Sequence, residues 1–165
     1  MMPKTTTIAC LLAAGAMAVG LSPDFGLASE PAHVHMRHGF TAGEPGDPKE
    51  ASRVVTIELR EGVGQMSYAP DKVVVSAGDQ TRFVLKNVGD LDHEFLLDSV
   101  ANNAEHKGAM QKNPEMEHAD PNGARIKPKT TAEILWRFTK KGTFEFACLI
   151  PGHYEAGMRG VVEMR

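Results

Sequence analysis

The chain has 165 residues, with 18 Lys and Arg against 21 Asp and Glu for a net charge of −3. That length suits one domain plus a tail, and the near-neutral balance without a long basic run excludes a nucleic-acid binder, because phosphate neutralisation needs clustered cations. Two cysteines beside 7 histidines and 9 methionines exclude a disulfide framework and bring soft metal ligation forward as an explanation of the composition.

At the N-terminus, Lys4 precedes an uninterrupted apolar and small-residue run from Ile8 to Leu21, the pattern of a secretory signal. The run is shorter than the ~20 residues that a bilayer-crossing helix needs, so no membrane span is expected after cleavage. Gly26, Leu27 and Ala28 place small residues where a signal peptidase reads, which predicts a signal peptide over 1–28 and a periplasmic destination. Cys10 leaves with the signal and lies too near the start to be a lipidated cysteine. The mature chain then keeps one thiol, Cys148, and a lone thiol in an oxidising compartment is a liability unless buried or metal-bound.

Residues 29–51 carry His33, His35, Met36 and His38, then Gly43, Pro45, Gly46 and Pro48, with no apolar periodicity. They read as a flexible tail. From Ser52 onward, short β-rich runs alternate with turn residues, and strands are predicted over 54–59, 72–75, 81–87, 93–98, 131–139, 143–149 and 161–164. Ser99 to Ile126 breaks this rhythm as a long polar loop with a short helix near 102–112. The expected architecture over 52–165 is all-β, a Greek-key β-sandwich with one long loop and short helix inserted.

The chemistry concentrates near the C-terminus, where Cys148, His153 and Met158 stand at C-x4-H-x4-M spacing. One loop thus supplies a thiolate, an imidazole and a thioether. Phe144, Phe146 and Cys148 share strand parity, so the sulfur points to the core face. Pro151 and Gly152 turn the chain so that His153 returns over the same point. His93 is the best fourth ligand, since it opens an apolar strand with Phe95 and Leu97 at its parity. Two histidines, one thiolate and a weak axial thioether are the donor set of a type 1 copper centre, whereas zinc takes four strong ligands and rarely methionine.

The segment from Phe144 to Val162 resembles the C-terminal copper loop of the cupredoxins, with spacing like that of rusticyanin. From about Gly46 to Arg165 the chain is similar to the periplasmic cupredoxins of bacterial copper tolerance, the CopI type. The likeness rests on Gly46-Asp47-Pro48, on Asn87 with His93-Glu94-Phe95, on Met116-Glu117-His118-Ala119-Asp120-Pro121, and on the copper loop. The resemblance implies an eight-stranded Greek-key sandwich, one mononuclear copper and no substrate chemistry. Glu94 departs from many electron-carrier cupredoxins, in which Asn or Ser often follows the first histidine.

The functional expectation is a periplasmic copper-binding protein of copper tolerance, with one-electron Cu(I)/Cu(II) capability and no enzymatic activity. The alternative is a dedicated electron-transfer cupredoxin that shuttles between respiratory or oxidase partners. Ala147 and Leu149 flank the cysteine where multicopper oxidases carry histidines, which argues against an oxidase. His33, His35, Met36 and His38 are a candidate second copper site, and His106, Met110, Met116 and His118 a candidate auxiliary copper loop. A redox or copper-transfer protein is expected to dock near His153 on a monomer, in a small transient contact.

Overall fold

The computed structural model describes residues 39–114 and 120–165. Ten strands form two five-stranded sheets: β1 Gly43–Pro45, β2 Arg53–Gly62, β3 Gln65–Ala69, β5 Gln80–Asn87 and β8 Thr131–Phe138 in one, β4 Lys72–Val75, β6 His93–Asp98, β7 Gly123–Ile126, β9 Gly142–Ala147 and β10 Arg159–Met164 in the other. The first sheet is ordered β1-β8-β5-β2-β3 and the second β4-β10-β9-β6-β7. Pairing is parallel in β2/β5 and β4/β10 and antiparallel elsewhere. The chain crosses from one sheet to the other and back between β3, β4 and β5, as a sandwich of this class requires.

The alternation read from the sequence decides which face of each strand is inside. Val55, Ile57 and Leu59 of β2, Ile134, Trp136 and Phe138 of β8, and Phe95 and Leu97 of β6 all enter one buried core. Four aromatic rings form its centre: Phe95 stacks on Phe146 at 5.1 Å between centroids, Tyr68 meets Phe146 edge-on at 5.1 Å, and Phe83 lies 5.6 Å from Phe95. Leu96 and Ala147, on the opposite faces of β6 and β9, pack with Leu149 and Met110 beneath the helix α1, Val100–Lys112. The two strands that present metal-ligand candidates are therefore covered on both sides.

Three strands lie where the sequence predicts loop. Gly43–Pro45 falls inside the predicted tail of 29–51, yet pairs with Phe138, Arg137 and Trp136 of β8. So short an edge strand, with a proline in it, is held by backbone pairing and by the burial of Ala42, and leaves no periodicity to read. Gly43 has φ of +145°, and a Cβ there would stand 2.0 Å from the Arg137 carbonyl oxygen. Gln65–Ala69 buries only Tyr68 fully, and Gly123–Ile126 is an edge strand inside the polar excursion. The described residues thus hold ten strands, where the resemblance implies eight.

The helix is present two residues earlier than expected, capped by Ser99, whose hydroxyl accepts from Asn102 N at 3.1 Å. It has almost no apolar face. Asn103 ties it down instead, donating to Glu145 Oε1 at 3.1 Å and to the Glu145 carbonyl at 3.3 Å.

Phe146→Ala should cost about 3–5 kcal/mol of stability, because the aromatic stack cannot close over the void; equilibrium urea unfolding of the variant against the parent measures it.

Candidate metal centre

His93 is the first residue of β6, delivered by the loop from β5. Asn87, at the end of β5 and 1% exposed, staples that loop: its amide donates to the Leu91 carbonyl at 2.7 Å and to the Ile126 carbonyl at 3.1 Å, and its oxygen accepts from Gly89 N at 2.9 Å. Cys148 immediately follows β9 and continues the inward parity of Phe144 and Phe146. The chain then makes a type II turn, with Pro151 at its second position, Gly152 at φ +90° in its third, and His153 N donating to the Ile150 carbonyl at 3.0 Å. Gly157, at φ +101°, passes the Met66 carbonyl so closely that a Cβ would lie 3.3 Å from it. Backbone bonds close the loop on itself, from Cys148 N to the Met158 carbonyl and from Met158 N to the His153 carbonyl, both 3.1 Å. Met66 N pins it to the β2–β3 hairpin through the Ala156 carbonyl at 2.9 Å.

Three ligand atoms of His93, Cys148 and His153 converge, all within 4.8 Å of one another. The two Nδ1 atoms are 3.3 Å apart, and Cys148 Sγ lies 3.4 Å from His153 Nδ1. His93 and Cys148 are wholly buried, whereas His153 is partly exposed. Met158 is wholly buried in the core at the same end of the loop. Two imidazole nitrogens and a sulfur, with a thioether tied by its backbone to both Cys148 and His153, match the borderline and soft donor preference of copper. None of the converging three is a carboxylate, which fits copper better than calcium or magnesium.

The electrostatics set the terms on which a metal enters. Burial pushes the Cys148 thiol up to about 12, against the pull of the Glu94 and Ile150 amides that point toward the sulfur. Burial, and then the neighbouring His93, hold His153 below the ordinary imidazole value. The copper-free site thus favours an uncharged thiol and uncharged imidazole, and a cation that takes the sulfur must displace its proton. Glu94 is 3% exposed, its carboxyl raised above the usual value chiefly by burial. Its amide donates to Cys148 Sγ at 3.3 Å, its Oε2 accepts from Leu149 N at 3.2 Å, and its carbonyl receives the Tyr68 hydroxyl. Glu94 therefore tethers the cysteine loop to β6 by both main chain and side chain.

Two further groups escaped the sequence reading. Glu61, near the end of β2, places Oε1 3.0 Å from His93 Nε2. Tyr154 donates its hydroxyl to Glu145 Oε2 at 3.0 Å, while Lys107 Nζ and the Arg159 guanidinium lie over its ring at 4.4 Å and 5.0 Å from the centroid. Lys107 also pairs with Glu155 at 3.0 Å, so α1 grips the copper loop at two adjacent residues. No local spacing announces these contacts, because each joins residues from separate elements.

Of the auxiliary candidates, His106 and Met110 lie on α1, and Met110 is packed against Leu96, Ala147 and Leu149. His33, His35, Met36 and His38, like Met116 and His118, lie outside the described residues. Among the described residues no helix is long and apolar enough to cross a membrane.

Comparison with known proteins places the chain among copper-binding proteins. The description of copper binding proteins of the plastocyanin/azurin family matches residues 55–165. The Copper-resistant cuproprotein CopI of Rubrivivax gelatinosus is 40% identical over 163 residues, spanning 99% of this chain and 96% of that protein. A protein of the same name from Pseudomonas aeruginosa is 37% identical over 152 residues, 74% of this chain and 82% of the relative. Among solved structures, reduced auracyanin from Roseiflexus castenholzii superposes with a TM-score of 0.58 at 21% identity over 70% of this chain and 99% of its own. Auracyanin B does so at 0.59 and 20% identity, over 77% of this chain and 96% of its own. At those identities the structural likeness speaks to the fold.

Because a raised pKa leaves less thiolate at any pH below it, native copper-free Cys148 should alkylate at pH 8 at least about a hundredfold more slowly than in the unfolded chain; iodoacetamide labelling followed by mass spectrometry reads this. The same shift contributes stability that is full below the ordinary value of 9.0 and is lost as pH climbs toward about 12, where the unfolded chain has released the proton and the folded chain still holds it.

Proposed function

The chain belongs to the plastocyanin/azurin family of copper-binding proteins, and from that premise we propose that it is a periplasmic copper-tolerance protein built around one type 1 copper centre. His93, Cys148 and His153 would be the strong ligands in this reading and Met158 the weak one. The observation that carries it is the convergence of two imidazole nitrogens and a buried sulfur within 4.8 Å. The tolerance role draws its support from relatives at 34–40% identity, each called a Copper-resistant cuproprotein.

Copper bound there supplies one-electron exchange between Cu(I) and Cu(II). The chain's own residues supply rigidity and selectivity. Pairing of β6 with β7 holds His93 opposite Ile126, and the Cys148–Met158 backbone bond closes the loop that carries Cys148, His153 and Met158, so the donors do not need to rearrange when the charge of the site changes. Phe95, Phe146 and Cys148 are wholly buried in one core, which excludes water from the sulfur. His153 alone of the three is partly exposed, which favours its ring edge as the place where a redox or copper-transfer partner docks. The histidine and methionine cluster at His33, His35, Met36 and His38 is a second, weaker copper site in this proposal, motivated by the grouping of soft donors in the sequence.

Titration of the mature protein with copper should give one tightly bound ion with an intense thiolate-to-copper absorption, which Cys148→Ser abolishes and Met158→Leu retains. Cells lacking the gene should grow less well in copper and recover with the parent gene but not with Cys148→Ser. Unchanged growth in a strain without a redundant protein overturns the tolerance role, and absence of the absorption overturns the type 1 centre.

A further inference from the structure

His93 presents its two ring nitrogens to two different neighbours. Nδ1 faces His153 Nδ1 at 3.3 Å, toward Cys148, and Nε2 faces Glu61 Oε1 at 3.0 Å. The imidazole is wholly buried, while the Glu61 side chain is 22% exposed, so the carboxylate sits between the ring and solvent. It is itself held, accepting from Leu91 N at 2.8 Å. Gly89 makes room for it, since a Cβ at that position would stand 2.0 Å from Oε1. Asn87 in turn fixes Gly89 and Leu91. A chain of specific contacts therefore converges on one carboxylate, 32 residues before the histidine it touches.

A carboxylate only accepts hydrogen bonds. With Oε1 at its Nε2, the neutral His93 ring carries its proton there and leaves Nδ1 bare toward the other donors. A ligand imidazole bonded in this way is oriented, kept in one tautomer, and made a stronger donor. The negative charge on the far side of the ring also favours the more positive of two metal oxidation states.

We propose that Glu61 is the positioning residue of the copper centre, locking His93 to bind through Nδ1 and weighting the bound copper toward Cu(II). This rests on the reading of His93, Cys148 and His153 as ligands. Glu61 touches no ligand atom directly and acts through the His93 ring.

The test uses the copper-loaded full-length mature protein and two variants. Glu61→Gln keeps an oxygen acceptor and removes the charge, and Glu61→Ala removes both. In the Cu(I) protein, which is diamagnetic, NMR should show a slowly exchanging proton on His93 Nε2 in the parent and in Glu61→Gln, and fast exchange in Glu61→Ala. Glu61→Gln should retain the thiolate-to-copper absorption while its preference for Cu(II) over Cu(I) falls about tenfold, an upward potential shift of about 59 mV for a one-electron couple. A purely structural Glu61 would lower the melting temperature of its variants and leave the potential where it is. An unmoved potential in Glu61→Gln, or His93 bound through Nε2 in the parent, overturns the proposal with the ligand reading intact. Absence of the absorption in the parent overturns both. Where Glu61→Ala does not fold, the parent spectrum and the Gln variant decide.

Discussion

Burying Cys148 beside two imidazoles is the constraint on which the rest of the site depends. A thiolate in that position is costly when the metal is absent, as its rise to about 12 records. A cation removes that cost, and the fold is arranged so that the sulfur has little freedom to avoid one. It leaves β9 at the inner face, in the same core as the stacked Phe95 and Phe146, with amides directed at it from Glu94 and Ile150. The energy that holds this arrangement is that of the sandwich core, so ligand geometry is maintained by packing far larger in area than the site itself.

Around that sulfur, two sets of contacts hold the flanking pieces. On the β6 side, Asn87 braces the loop, Glu61 meets the outer nitrogen of His93, and Glu94 ties β6 to Leu149. On the loop side, Tyr154 is anchored on Glu145 and contacted over its ring by Lys107 and Arg159, and Lys107 reaches on to Glu155. The helix explains itself in this setting. A polar helix with little apolar face has weak reason to dock, yet Asn103 on Glu145 and Lys107 on the copper loop give it a defined seat. The same Glu145 thus serves both the helix and the loop.

Glu94 shows how a departure from a familiar pattern can be absorbed. A charged residue after the first histidine reads as a conflict with a buried site. In three dimensions its carboxylate accepts a backbone amide across the sandwich, which is the kind of bond an amide or hydroxyl side chain would otherwise make. The stronger consequence falls on Glu61, where sequence offers no hint, since the residue lies in an ordinary alternating strand among other charged positions.

The sequence by itself determined the spacing of the candidate donors and the face of the cysteine, because C-x4-H-x4-M is a local spacing and strand parity is a local rule: Phe144, Phe146 and Cys148 had to share a face. It also determined the long strands, whose alternation is strong enough to read, as in Arg53–Gly62 and Thr131–Phe138. Only the tertiary structure decided that Gly43–Pro45 and Gly123–Ile126 are strands, since short edges are defined by partners across a sheet and carry little periodicity of their own. Only it brought Glu61 to His93, Glu94 to Leu149 and Tyr154 to Glu145, and put Met110 into the packing under α1. Hydrogen bonds between side chains of separate elements follow no spacing along the chain, and they are fixed only when packing has set the elements side by side.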